Sequence, residues 1–156
     1  MEKILGEDRK VQPENASRNK LFKILDYYNA PVELYDFYKL IRPDEMITCG
    51  EYKFHTINDT VECYGDMTNS KKSFDVCYAY IGMGHVCALV YDPKVVRYYF
   101  RHDGGSNDWD VKENHEFFEN KFNPRDKKYA KLMFTFEEII QHILDGSTNE
   151  FMISEF

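Results

Sequence analysis

The stretch SFDVCYAYIGMGHVCALVYDPKVVRYYFRH, residues 73–102, decides the fold class. Gly82-Met83-Gly84 and Asp92-Pro93-Lys94 cut it into three runs, 73–83, 85–92 and 95–102, each rich in Val, Tyr, Phe or Ile. Such side chains suit a pleated surface, and Gly and Pro punctuate the chain between strands. The connections are too short for a parallel crossover, so the runs are expected to pair antiparallel. In the first run, Phe74, Val76, Tyr78 and Tyr80 are expected on one face and Cys77, Ala79 and Ile81 on the other. Apolar residues on both faces call for cover on both sides, at least in part.

Helical patterns on either side supply that cover. Leu21, Ile24, Leu25 and Tyr28 fall at i, i+3, i+4 and i+7, with Ser17 placed to cap the helix and Asn29 and Pro31 to end it. Leu34, Phe37, Tyr38 and Ile41 repeat the spacing until Arg42-Pro43, which predicts two short antiparallel helices. The alternation of Tyr52, Phe54 and Thr56, followed by 61–64 after Asn58-Asp59, reads as a hairpin, and 65–72 as a loop. Beyond the strands, Asp110-Val-Lys-Glu113 has the pattern of a capping box leading a helix through Phe117, Phe118 and Lys121 or Phe122. Residues 130–134 suggest a short strand. Thr135-Phe-Glu-Glu138 is a second capping box, ahead of the stripe Phe136, Ile139, Ile140, Ile143 and Leu144 and the stop at Gly146. The tail 150–156 is placed to add an edge strand.

The expectation is an α+β fold: a central antiparallel sheet of about five to six strands with two N-terminal and two C-terminal helices packed on it. An extended or mobile segment, 1–17, precedes one domain over 18–156.

Composition agrees with one domain and narrows the function. The chain has 156 residues, 43% hydrophobic and 30% charged, enough for a core and unlike a disordered segment. Aromatics at 16% can fill that core or line a recognition face. The net charge of −7 argues against nucleic acid, so Lys71-Lys72 and Arg125, Lys127 and Lys128 read as solvated loops. No apolar run is long enough for a membrane span, and the charged start does not resemble a secretory signal. Cys49, Cys63, Cys77 and Cys87 lack C-x-x-C spacing, which favours buried thiols in a reducing, intracellular, cytoplasmic setting over a disulfide framework.

The segment FRHDGGSNDWD, residues 100–110, concentrates the polar groups that chemistry would use. Arg101, His102, Asp103, Gly104, Gly105, Ser106, Asn107 and Asp110 form the candidate ligand site. In one reading Gly104-Gly105 lets backbone N–H groups approach an anion such as phosphate, or Asp103, Asn107 and Asp110 offer oxygens to a divalent metal, though not in EF-hand spacing. In the other the glycines make a turn, Asp110 caps the next helix and Trp109 covers the core edge. His85 and Cys87 share a strand face and read as packing residues rather than a nucleophilic pair, and a meeting of Cys87, His102 and His115 in space is left open. His55 and His142 are isolated, and Glu138 is explained by its capping box.

No phosphate-loop, dinucleotide, zinc-protease or nucleophile-elbow motif is present, and no cofactor is expected. The leading expectation is a non-enzymatic protein-binding or structural domain. It would use an aromatic-bearing sheet face or an edge strand, with strand addition by the tail as one mode and a homo-oligomer as another possibility. The alternative is a metal- or phosphate-ligand-binding domain or enzyme built on 101–110.

With Tyr98-Tyr-Phe100, the loop Arg101-His-Asp-Gly-Gly-Ser-Asn107 and the helix start Phe134-Thr-Phe-Glu-Glu138, the segment 78–145 resembles proteins of large DNA viruses of the mimivirus and marseillevirus kind. That resemblance implies a virion component or a host-interaction factor. In element order the chain is also similar to small α+β binding domains of the SUKH superfamily, but it lacks their Gly-rich turn after the N-terminal helices.

Overall fold

The computed structural model describes residues 2–65, 71–104 and 108–155. After a single turn, α1 (Glu2–Leu5), come α2 (Ala16–Tyr27) and α3 (Val32–Lys39), then β1 (Thr48–Cys49), β2 (Tyr52–Phe54) and α4 (Ile57–Tyr64). The central strands are β3 (Phe74–Gly82), β4 (His85–Asp92) and β5 (Arg97–Gly104). α5 (Asp108–Glu116) runs into a π-turn over Phe117–Lys121 and a 3-10 turn over Lys127–Leu132, followed by α6 (Phe136–Asp145) and β6 (Met152–Ile153). The six strands lie in sequence order in one sheet. All neighbours are antiparallel except β6, which runs parallel to β5 with Phe100 opposite Met152 and Arg101 opposite Ile153. The fold is therefore the expected α+β class with a mixed sheet, because a 3-10 turn over Thr148–Phe151 leads the tail back along β5 instead of reversing it.

Both faces of the sheet are covered, unequally. Leu89 and Phe100 face the larger core, built with Leu21 and Leu25 of α2, Phe37 of α3, Ile57 of α4 and Ile139 of α6. The opposite face holds a smaller cluster, Ala88, Val90, Tyr99 and Ile153 under Phe118. A bulge between Asp75 and Cys77 alters the expected alternation in β3. It lets Phe74, Val76, Cys77 and Ala79 all enter the larger core, while Tyr78 and Tyr80 pair with Ala88 and Val86 on the other side. An extra residue in one strand has this effect because side chains alternate with period two.

Several local expectations change. The cap of α2 is Asn15, not Ser17: its Oδ1 accepts from the N–H groups of Ser17 and Arg18 at 2.8 and 3.3 Å. The second half of the expected hairpin is α4, started by Thr56, whose Oγ1 accepts from Asp59 N–H at 3.0 Å, and buried along Ile57, Thr60 and Tyr64. Asp110 lies inside α5 rather than at its cap, since the helix begins at Asp108. Residues 130–134 are mostly 3-10 turn, and only Phe134 forms a bridge, to Tyr98. The capping box of Thr135 and Glu138 and the left-handed stop at Gly146 (φ 69°) are both present. The loop expected over 65–72 lies partly outside the described residues.

The chain before α2 is tied to the body by charge. Arg18 is 4% exposed and donates to three carbonyls, those of Tyr38, Ile41 and Pro13, at 2.9, 2.7 and 2.6 Å. Two of these lie around the C-terminal end of α3, where carbonyls lack intrahelical donors and attract a cation. Arg9 pairs with Glu45 at 2.7 Å, and Gln12 N–H donates to Lys39 C=O at 2.9 Å. Arg18→Ala is expected to destabilise the fold by about 3 kcal/mol, with Arg18→Lys recovering only part, because hydrogen bonds from a charged donor are lost and buried carbonyls are left bare. Urea unfolding of the three proteins checks this ordering.

Candidate functional site

β5 leaves the core at Arg101, and from there its side chains divide by strand alternation. Arg101 and Asp103 point to the smaller-cluster side, opposite Ala88 and Val86, and His102 points to the other, opposite Cys87. The candidate residues of this strand therefore do not share one site.

On the smaller-cluster side, the Arg101 side chain is 14% exposed and lies between two carboxylates. Its Nε and Nη2 donate to Asp103 Oδ1 and Oδ2, each at 2.7 Å, and Nη2 also reaches Asp75 Oδ1 at 3.2 Å. Phe118 lies beneath the guanidinium, 5.6 Å from ring centroid to Cζ. Burial works against the charge, but Asp75 and Asp103 outweigh it and hold Arg101 protonated above the ordinary arginine range. Asn114 of α5 donates from Nδ2 to Asp103 Oδ1 at 3.1 Å, while its Oδ1, buried, has no hydrogen-bond partner among the described residues. These groups, with Ser73 and Gly104, line a cleft of about 230 Å³.

Gly104 closes the strand at φ 87°, and a Cβ there would sit 2.8 Å from the carbonyl oxygen of Gly84, so only glycine fits. Gly105, Ser106 and Asn107 lie outside the described residues, and Asp110 is placed only as a helical position of α5. The metal reading gains no support from what is described. Both oxygens of Asp103 are engaged by Arg101, and among the described residues no three His, Cys, Asp or Glu side chains gather around a common point.

His102 lies with His85, Nε2 to Nδ1 at 2.8 Å, and its Nδ1 is 2.9 Å from Ser154 Oγ. Cys87, though opposite His102 in register, is occupied elsewhere: the Tyr52 hydroxyl is 3.0 Å from its Sγ and 2.9 Å from Thr148 Oγ1. Burial pushes the Cys87 thiol up to about 11, with the Tyr52 hydrogen bond opposing, so it is no thiolate at neutral pH. His115 lines the cleft on the far side of the sheet, and the suggested meeting of Cys87, His102 and His115 does not occur. The four cysteines are free, and only Cys63 is exposed.

A second feature lies at the β3–β4 tip. Gly82 pairs with His85, leaving Met83-Gly84 as a two-residue turn with φ of 51° and 80°. Positive φ at both positions defines the turn type favoured in hairpins, and it normally selects Asn, Asp or Gly first. Met83 occupies that strained position and is 86% exposed, beside Tyr80 at 68%. Pairing with β2 ends at Tyr78, so among the described residues no strand covers the outer edge of 80–82.

Sequence reasoning found Arg101 and Asp103 and missed their partners. Asp75, a carboxylate inside an apolar run, and the R-x-D spacing on one strand face were the available signals. Asn114 and Phe118 carried none. Met83 between two glycines was read only as punctuation.

Removing the central cation leaves two carboxylates facing each other, so Arg101→Met is expected to cost about 3 kcal/mol. Adding Asp75→Asn and Asp103→Asn should recover much of the loss, as read by urea denaturation. The histidines set a pH dependence. His102 sits below the ordinary value of 6.5 through burial and its neighbour His85, with Asp103 opposing. Burial likewise lowers His55. The unfolded chain then binds protons that the fold does not, so this stability is complete above about pH 6.5 and is lost as pH falls through the folded values. A lower urea midpoint at about pH 5.5 than at about pH 7.5 is expected, with NMR titration placing both imidazoles below the ordinary histidine value.

No family model, curated protein or solved structure matches the chain.

Proposed function

We propose that this protein is a non-enzymatic protein-binding domain whose docking surface is the open edge of β3 together with the β3–β4 tip. The observation that carries the reading is Met83, a large apolar side chain 86% exposed in a left-handed turn position that favours small polar residues. Apolar surface held in a strained place is a hint of use rather than of folding. Tyr80 stands beside it and meets Tyr78 edge-on, ring centroids 5.7 Å apart. Ile81 at 36% exposure continues the apolar surface across the strand.

The occupant we propose is an extended segment of another protein, added as a strand along 80–82. Main-chain hydrogen bonds would give affinity there, and alternate apolar side chains would rest on Tyr78 and Tyr80. A second copy of the chain is the less favoured occupant, because a net charge of −7 on each copy opposes association. The tail is less suited to strand addition in another molecule, since Met152 and Ile153 already pair with β5 and Ile153 is buried in the smaller cluster. The resemblance to proteins of large DNA viruses would make the partner a virion or host protein. No described helix is long and apolar enough to cross a membrane.

Selection from a random peptide library displayed on phage tests the reading. Wild-type protein is expected to enrich extended sequences with alternating apolar residues, and bound peptide should protect the amides of 79–82 from hydrogen exchange. Met83→Asn suits the turn better than the native residue and should keep or raise stability, yet weaken the enriched peptides about tenfold, as should Tyr80→Ser. Equal binding by both variants would remove the proposal, as would a library that enriches nothing. A concentration-dependent dimer abolished by Met83→Asn would replace the peptide with a second copy.

A further inference from the structure

The Arg101 cleft opens into a second, wider one. They share Lys71, His115 and Glu119 as lining residues, so they form one continuous depression beside α5. The outer part, about 750 Å³, adds Tyr27, Lys72 and Lys94. Three lysines and one glutamate line it, in a chain whose net charge is −7. That local excess of positive charge runs against the whole molecule and suits an anion. Tyr27, 54% exposed, gives it an aromatic wall.

The inner part has the opposite character. Two carboxylates, Asp75 and Asp103, flank the single guanidinium of Arg101, so a free anion is repelled there and a cationic head would meet Arg101 itself. Its unspent hydrogen-bonding capacity is neutral. Asn114 is 5% exposed, and its Oδ1 has no partner among the described residues although the amide orientation is fixed by the bond to Asp103. A buried acceptor left bare is costly, and a ligand hydroxyl would satisfy it. Among the described residues Arg101 Nη1 reaches only Ser73 Oγ, at 3.5 Å, and so has donor capacity for a hydroxyl oxygen. Val111, half exposed, and Phe118 supply the apolar wall.

We infer that this double cleft binds a small phosphorylated polyol of the sugar-phosphate kind. The phosphate lies among Lys71, Lys72 and Lys94, and the hydroxyl-bearing body enters the inner cleft to donate to Asn114 and accept from Arg101. Phosphate oxygens attract lysine as a compact charge, and the neutral hydroxyls satisfy what the buried ion cluster leaves over. The inference is independent of the β3 edge, which lies at the hairpin tip.

The test is isothermal titration of the full chain with glucose 6-phosphate, ribose 5-phosphate and glycerol 3-phosphate, beside inorganic phosphate and glucose. At least one sugar phosphate is expected to bind more tightly than inorganic phosphate, and glucose more weakly than either, with affinity falling as salt rises. Lys72→Ala with Lys94→Ala changes exposed side chains, gives up the exposed hydrogen bond from Lys72 Nζ to the Glu119 carbonyl, should therefore lower the melting temperature only slightly, and should weaken the sugar phosphate about tenfold. Val111→Phe fills the mouth of the inner cleft and should abolish the preference for sugar phosphate over inorganic phosphate. Met83→Asn should change none of these affinities. Failure of all three sugar phosphates to bind would overturn the inference. So would equal affinity for inorganic phosphate, or binding indifferent to the lysine pair.

Discussion

A guanidinium held between two carboxylates on one face of a sheet imposes order on everything near it. Arg101 cannot be buried alone, because removing a charge from water costs several kcal/mol unless partners replace the solvent. Its partners come from three places: Asp103 from its own strand, Asp75 from β3 two strands away, and the Phe118 ring from the turn after α5. Asn114 then fixes Asp103 from α5. The contact thus relates the β3 bulge, the register of β5 and the docking of the C-terminal cover. A purely apolar face of the same shape could be as stable. The ion cluster adds direction: Asp75 must face Arg101, which requires the bulge that sends both Val76 and Cys77 into the larger core.

This arrangement explains how far the sequence could be read. Elements built by local rules were legible: the 3.6-residue stripe of Leu21, Ile24 and Leu25, the reciprocal cap of Thr135 and Glu138, and the strands around Gly82-Met83-Gly84. The misread elements are those where two local patterns compete. Tyr52, Phe54 and Thr56 alternate like a strand, yet Ile57, Thr60, Val61 and Tyr64 fit a helix equally well, and Thr56 belongs to both as last alternating residue and as cap. Tertiary burial of Ile57 and Tyr64 decides it. Residues 130–134 were open to the same error, since Leu132 and Met133 pack against the smaller cluster without a ladder of strand hydrogen bonds, and only Phe134 bridges to Tyr98 and enters the larger core.

The site was harder to read because its parts lie far apart in the chain. Alternation could have separated Arg101 and Asp103 from His102, since residues two apart share a strand face. Asp75 could be recognised as an oddity, but its target could not be named without the β3–β4–β5 register. Lys71 and Lys72 look like ordinary loop charge beside acids. What concentrates them is the return of the chain through Lys94 and Glu119, a long-range contact that composition averages away.

The two faces of the sheet therefore serve different ends. The larger core takes nearly all the helices and most of the buried aromatic surface, and stability rests there. Among the described residues the opposite face is covered only by α5, a π-turn and a 3-10 turn, and that cover stops short of both the hairpin tip and the lysine-lined cleft. A domain needing only to fold would gain by extending the apolar cover over Tyr80 and by giving Asn114 Oδ1 a donor, since each is worth on the order of 1–2 kcal/mol. Leaving both undone, level with each other and two strands apart on one thinly covered face, is the pattern expected where surface is kept for something outside the chain to complete.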